Sequence, residues 1–233
     1  MSVEEKKVAV ITIDGPSGAG KGTISRIVAK KLGFHYLDSG ALYRLLGIAS
    51  QRHNLKLSSV SGLAALAEHM DVSFETTRHG NFTIHLEGED VTRQLRTEET
   101  GALASEVAKF PEVRAALLKR QQAFARDPGL VADGRDMGTA VFPDAPVKLF
   151  LTASAEERAA RRYKELLEKG ESVSLPALVE QVRSRDERDT NRDASPLRSA
   201  SDAYEIDTSD MSIQEVTERV LNLLAIKGFI PHP

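Results

Sequence analysis

The chain reads as an α/β fold, a parallel sheet wrapped by helices, on three observations. Short β-type runs alternate with helical stretches along most of its 233 residues. The first apolar run feeds a glycine-rich loop that carries a lysine and opens into a helical pattern, residues 8–23 reading VAVITIDGPSGAGKGT. Residues 71–95 break the alternation with the apolar–polar texture of a half-exposed antiparallel hairpin on both sides of His79-Gly80-Asn81.

The elements follow in order. Strands are expected over 8–13, 34–37, 130–132, 147–151 and 203–206, giving a five-stranded core. Helices are expected over 21–32, 40–53, 60–69, 99–109, 111–126, 155–169, 176–189 and 212–227. Ser154 precedes Ala155-Glu156-Glu157, and Ser212 stands three residues before Glu215, so both supply start signals, the second with capping-box spacing. The hairpin segment is expected as a small β insertion on the surface of the α/β unit, on the substrate side.

Composition narrows the function classes. The chain is long enough to bury a sizeable core, and 41% hydrophobic with 28% charged residues describes an ordinary soluble globular protein. A net charge of −3 argues against a general nucleic-acid or membrane binder. The absence of cysteine excludes disulfides and thiolate metal sites, MSVEEKK lacks the apolar core of a signal peptide, and no continuous apolar stretch reaches spanning length. A cytoplasmic monomer is the default expectation. The six histidines show no metal-ligand spacing.

The loop Gly15-Pro16-Ser17-Gly18-Ala19-Gly20-Lys21 has the spacing of a phosphate cradle. A buried strand aims it, glycines let backbone N–H groups close around phosphate oxygens, and the helix start adds positive potential. Lys21 is placed for the β- and γ-phosphates. Gly22 stands where Ser or Thr is usual, and the hydroxyl follows at Thr23, which leaves a direct Thr23–Mg²⁺ bond less secure. Further on, Leu37-Asp38-Ser39-Gly40 ends a strand and starts a helix carrying Tyr43 and Arg44. Ser39 and Arg44 are candidate substrate contacts there, while Asp38 or Ser39 could equally serve as a helix cap. Asp133-Gly134-Arg135-Asp136-Met137-Gly138 follows a strand, which makes Asp133 a candidate for a metal's water shell and aims Arg135 at the same crevice. A structural turn held by an Arg–Asp pair is the alternative.

Arg158, Arg161 and Arg162 share a helix face, and Arg183, Arg185, Arg188 and Arg192 are interleaved with Asp186, Glu187, Asp189 and Asp193 before Ser195-Pro196. A solvated, salt-bridged helix is the ordinary reading of such mixed charge. Beside a phosphate cradle, arginines also suit a phosphoryl-transfer transition state, and a segment closing over the phosphates would exclude water.

Taken together, GPSGAGKGT, LDSGALYR, the β insertion, ASEVAKFPEVR, DGRDMGTAVFPDAPVK and RDERDTNR resemble the bacterial-type cytidylate kinase family in order and spacing across nearly the whole chain. The resemblance implies transfer of the γ-phosphoryl group of ATP to CMP or dCMP with Mg²⁺. It implies a P-loop nucleoside monophosphate kinase fold: a core over about 1–60 and 98–233, a nucleotide-binding β insertion over about 61–97, and a lid over about 170–198. Ser39, Arg114, Asp136 and Arg192 match positions around the cytosine, Arg44 and Arg135 those gripping the acceptor phosphate, and Ser105, Arg185 and Asp189 those near the sugar. Lys21, Arg135, Arg185 and Arg192 form the expected catalytic group. ATP is expected on residues 15–23 with Arg161 and Arg162, and the metal near Thr23 and Asp133. Arg158 and Arg188 are looser lid assignments, and Gly22 is shared by related monophosphate kinases. The readings this leaves beside it are a kinase of another small acceptor, such as a different nucleoside monophosphate or shikimate, and a nucleotide-dependent switch. No Asn-Lys-x-Asp guanine signature is present for the latter.

Overall fold

The computed structural model describes residues 8–76 and 82–230, so the expected turn at His79-Gly80-Asn81 lies outside the described residues. In chain order the elements are β1 (Val10–Asp14), α1 (Lys21–Leu32), β2 (His35–Asp38), α2 (Ser39–Arg52), α3 (Val60–His69), β3 (Val72–Thr76), β4 (Phe82–Leu86) and β5 (Glu89–Asp90). There follow a 3₁₀ turn (Gln94–Arg96), α4 (Glu98–Val107), α5 (Pro111–Gln122), β6 (Leu130–Gly134), a wide π-type turn (Met137–Val141), β7 (Val147–Thr152), α6 (Ala155–Glu168), α7 (Leu175–Asn191), β8 (Tyr204–Asp207) and α8 (Ile213–Ile226).

The chain folds as two compact units, Met1–Asp38 with Gln122–Pro233, and Ser39–Gln121. The second unit is broader than the 61–97 insertion expected from sequence. It also takes in α2, α4 and α5, whose packing is closer than periodicity alone reveals: a β-carbon on Gly47 of α2 would stand 2.8 Å from the Leu103 Cβ of α4.

In the first unit a five-stranded sheet runs in the order β2-β6-β1-β7-β8, every pairing parallel. All residues of β1 and β6 are buried, which is why these strands read as largely apolar runs, each with an acid at or near its carboxyl end. Ile11, Ile13, Val131, Leu149 and Leu151 pack with Ile24 and Val28 of α1 and with Val216, Val220 and Leu224 of α8. Truncating one of the fully buried isoleucines to alanine would cost about 2–5 kcal/mol in lost transfer energy and residual cavity. The helix signals hold: Ser154 Oγ accepts from the Glu157 amide at 3.1 Å, and Ser212 and Glu215 form a reciprocal capping box. Helix α7 outruns its expected 176–189 bounds at both ends, by one residue at the start and two at the end.

The second unit carries a small antiparallel sheet in the order β3-β4-β5. The third strand went unread because it has only two residues. Glu87 and Gly88, at φ 55° and 81°, form the two-residue reversal between β4 and β5, where positive φ at both centres matches the twist of the strands.

Candidate active site

The end of β1 and the start of α1 shape the loop 15–21. Gly15 has no alternative, since a β-carbon there would fall 2.0 Å from the Leu151 carbonyl oxygen of β7. Gly18 and Gly20 adopt left-handed φ of 82° and 85°, which turn the loop into the first turn of α1 at low steric cost. Lys21 is the first residue of that helix, is 6% exposed, and donates from Nζ to the Pro16 carbonyl at 2.7 Å.

Around Lys21 the first unit gathers Asp14, Asp133, Arg135 and Arg185 within electrostatic reach. Burial pulls the Lys21 ammonium down to about 8, Arg135 adding to the fall and Asp133 and Asp14 opposing it. Burial pushes the Asp133 carboxyl up to about 6, against the pull of Lys21. Tyr36 Oη of β2 donates to Asp133 Oδ2 at 3.3 Å, and burial followed by the charges of Asp133 and Asp38 holds that phenol well above its ordinary value, so it remains a donor. Gly22 has a structural reason: a β-carbon would approach Asp133 Oδ2 to 3.3 Å.

The surroundings of Asp133 are suited to Mg²⁺. Among the described residues no cluster of three histidine or acidic side chains forms a protein cage. One buried carboxylate beside a phosphate loop is the donor set Mg²⁺ takes when water and nucleotide oxygens complete the shell, and the space left by Gly22 lies against that carboxylate.

The other side of the cluster is built by α7. Arg135 Nε donates to Asp189 Oδ2 at 2.9 Å. Burial alone would lower the Arg135 guanidinium, but Asp189, Asp133 and Asp38 outweigh it and hold the group above its ordinary value. Burial likewise pushes Asp189 up, but Arg135, Arg185 and Arg192 win and hold its carboxyl below the usual range. Arg192 donates from Nε to the Ser195 carbonyl at 2.7 Å. Asp136 is 3% exposed. The Met137–Val141 turn is held by the Asp14 carboxylate, which accepts from the Met137 and Gly138 amides, and Arg135 pairs with a partner on another element.

Arg161 and Arg162 are held by neighbouring groups. Arg161 Nη2 donates to the Thr208 carbonyl at 2.5 Å, and the link to the phosphate loop runs through Thr208 Oγ1, 3.4 Å from the Ala19 carbonyl. Arg162 donates to Glu165 at 3.3 Å. Arg158, a loose assignment by sequence, is in direct contact with the loop, donating from Nη1 to the Ser17 carbonyl at 3.0 Å.

The second unit gathers its own set. Ser39 Oγ donates to Gln121 Oε1 at 2.6 Å. Arg44 Nη1 donates to the carbonyls of Leu95 at 2.8 Å and Thr97 at 3.1 Å. Its guanidinium lies close against Gly101, where a β-carbon would stand 3.1 Å from Nη2. Ser105 Oγ donates to the Gly101 carbonyl at 3.2 Å, and Arg114 stacks 5.4 Å above the Tyr43 ring. Ser39, Arg44, Ser105 and Arg114 thus share one compact unit, on helices α2, α4 and α5.

The sequence profile of the cytidylate kinase family matches residues 11–225. The chain belongs to the cytidylate kinase family. It is 58% identical over 221 residues to a cytidylate kinase of Stutzerimonas stutzeri, covering 94% of this chain and 96% of that one. It is 57% identical over 222 residues to a cytidylate kinase of Pseudomonas syringae, covering 95% and 97%. It is 58% identical over 217 residues to one of Colwellia psychrerythraea, covering 93% and 96%. The parallel sheet, phosphate loop and small antiparallel sheet are those of a P-loop nucleoside monophosphate kinase.

Set against this cytidylate kinase framework, Asp14, Tyr36 and Gln121 are the polar side chains that reading by motif passed over. Each is bonded to a residue distant in sequence. For Asp14 a signal was present: it is an acid closing an otherwise apolar strand directly before the cradle glycine.

Proposed function

We propose that this chain transfers the γ-phosphoryl group of ATP to CMP or dCMP, giving ADP and CDP or dCDP. The observation that carries the reading is the assembly of Lys21, Asp133, Arg135, Arg185 and Asp189 in one compact unit, in a chain that matches the cytidylate kinase family from residue 11 to residue 225.

The loop 15–23 binds the phosphates of ATP, its amides and the Lys21 ammonium countering their charge. Burial lowers the Lys21 ammonium to about 8, still above neutral pH, and anionic phosphate beside it favours its charged form, so the cation is present when the donor is bound. Asp133 and the Thr23 hydroxyl would hold Mg²⁺, which when bound neutralises charge on the phosphates. The acceptor phosphate of CMP is already anionic, so no general base is needed.

Arg135, Arg185 and Arg192 stabilise charge spread over the transferring group, a contribution on the order of 10³–10⁵ in rate where such an arginine has been removed from other phosphoryl-transfer sites. Asp189 orients Arg135 through its 2.9 Å bond and keeps its fork fixed before substrate arrives. Ser39, Arg114, Asp136 and Arg192 read the cytosine, whose exocyclic amine donates beside ring acceptors, while Arg44 and Arg135 grip the acceptor phosphate. Ser105, Arg185 and Asp189 lie near the sugar. The unit Ser39–Gln121 is the acceptor-binding part and 170–198 the lid, with Arg161 and Arg162 on the ATP side. A cytoplasmic monomer acting on free nucleotides, with neither nucleic acid nor membrane as partner, accords with the net charge of −3 and the absence of cysteine.

A coupled ADP-release assay with CMP, dCMP, UMP, AMP and shikimate as acceptors tests the reading. CMP and dCMP should give the highest kcat/KM, and Lys21→Ala should abolish most of the turnover while leaving helix content intact. ADP release favouring AMP or shikimate, or a folded Lys21→Ala variant with normal turnover, would overturn it.

A further inference from the structure

Asp14 is the last residue of β1, and its carboxylate reaches across to the turn after β6. Oδ1 accepts from the Met137 amide at 2.8 Å and Oδ2 from the Gly138 amide at 2.7 Å, both buried. The turn satisfies its later amides itself: Ala140 and Val141 donate to the Asp136 carbonyl at 2.9 and 3.2 Å, and Phe142 to that of Met137 at 2.7 Å. The Met137 and Gly138 amides are left for a side chain. Each amide bonds its own oxygen, a pairing that a carboxylate supplies with both oxygens and an asparagine, with one oxygen and an amide donor in place of the other, does not.

The turn has little room to settle elsewhere. A β-carbon on Gly138 would stand 2.9 Å from Thr12 Oγ1 and 3.1 Å from Lys148 Cδ, so its backbone lies directly on the sheet. The residues immediately before the held amides are Arg135 and Asp136. The residue immediately after Asp14 is Gly15, which begins the phosphate loop. Lys21 and Asp136 both act electrostatically on the Asp14 carboxylate, so it lies within the field of the site.

We propose that Asp14 is a positioning residue for the reaction: by holding the Met137 and Gly138 amides to the end of β1, it fixes Arg135 and Asp136 relative to the phosphate loop. The proposal rests on the reading of Arg135 and Asp136 as acceptor-binding groups. Asp14 touches neither nucleotide, and acts through the loop it anchors.

The test compares Asp14→Asn, which keeps the shape but loses one acceptor, with Asp14→Glu, which keeps both oxygens and moves them by one methylene. ATP affinity is measured by calorimetry and acceptor kinetics by ADP release, on protein checked for folding by circular dichroism. Both variants should raise KM for CMP and lower kcat, together on the order of 10- to 100-fold in kcat/KM, while the Kd for ATP alone stays within about twofold. Asp14→Asn and Asp136→Ala should be non-additive in a double-mutant cycle. A lower Tm with wild-type kcat and KM for CMP would overturn the proposal and make Asp14 a structural joint. Equal losses for ATP and CMP would also overturn it, since Asp14 would then shape the phosphate loop. Arg135→Lys is run alongside. If it raises KM for CMP and the Asp14 variants do not, the Asp14 proposal alone falls; if it leaves KM unchanged, the acceptor reading falls too.

Discussion

Arg158 and Asp186 join α6 to α7 by an ion pair whose arginine is almost wholly buried, with Arg158 Nη1 donating to Asp186 Oδ1 at 3.0 Å and also to the Ser17 carbonyl at 3.0 Å. Its Nε donates to the Ala153 carbonyl at 2.9 Å. One guanidinium therefore ties the phosphate loop to the helix that carries Arg185 and Asp189. Leu166 and Leu178 with Val179 and Val182 add an apolar seam between the same two helices.

Removing Asp186 leaves the buried Arg158 charge short of its partner. Asp186→Ala should destabilise the protein by about 1–3 kcal/mol, below the full cost of breaking a buried pair because the Asp186 side chain is 26% exposed. Hydrogen exchange should quicken in α7 more than in α1. Unchanged exchange in α7 would show that the apolar seam alone holds that helix.

Legibility from sequence followed the range of the interaction. The phosphate loop was readable because its requirements are local: glycines where the backbone turns, a lysine at the helix start and an apolar strand behind. The central strands were readable because both their faces are buried, and Ser154 and Ser212 because a cap acts within four residues. The partners of Asp14, Tyr36 and Gln121 were not, since they lie 123, 97 and 82 residues away and only the folded chain supplies them. Arg158 and Arg161 look equivalent on a helix face, yet the first meets the Ser17 carbonyl and the second the Thr208 carbonyl. Periodicity assigns a face to a side chain but not an acceptor on another element.

The Arg135–Asp189 bond makes a prediction about charge against shape. Arg135→Lys retains the positive charge but loses the planar fork that can hold Asp189 and a phosphate oxygen together. The loss in kcat/KM for CMP should correspond to about 2–5 kcal/mol, the range for truncating one side of a desolvated charge pair. Steady-state kinetics with ATP saturating measures it, and unchanged kinetics would place Arg135 outside the reaction.

Asp14 also makes a prediction about stability. Burial raises its carboxyl from 3.8 to about 7, with the Met137 and Gly138 amides and Lys21 opposing and Asp136 assisting. Between those values the folded state holds a proton that the unfolded chain has released, so stability falls as pH rises through this window. The contribution is fully present below about pH 4 and lost above about pH 7, up to about 4 kcal/mol at 1.36 kcal/mol per unit. Urea unfolding at several pH values should show wild type losing stability relative to Asp14→Asn across that window. Parallel pH profiles for the two proteins would mean that the carboxylate titrates alike folded and unfolded.

Base choice tests the reading most sharply. Asp136 is buried beside Arg135, and a carboxylate can accept from the exocyclic amine of CMP, whereas UMP presents a carbonyl at that position. Removing it should therefore penalise CMP more than UMP, and Asp136→Ala should narrow the CMP-to-UMP ratio of kcat/KM. One amine-to-carboxylate bond of this kind accounts for roughly 1.5–3 kcal/mol, which sets the expected narrowing at about 10- to 100-fold. Equal losses for both acceptors would mean that Asp136 serves the loop alone. In that case the Asp136 carbonyl, which accepts from Ala140 and Val141, would be the part of the residue that matters.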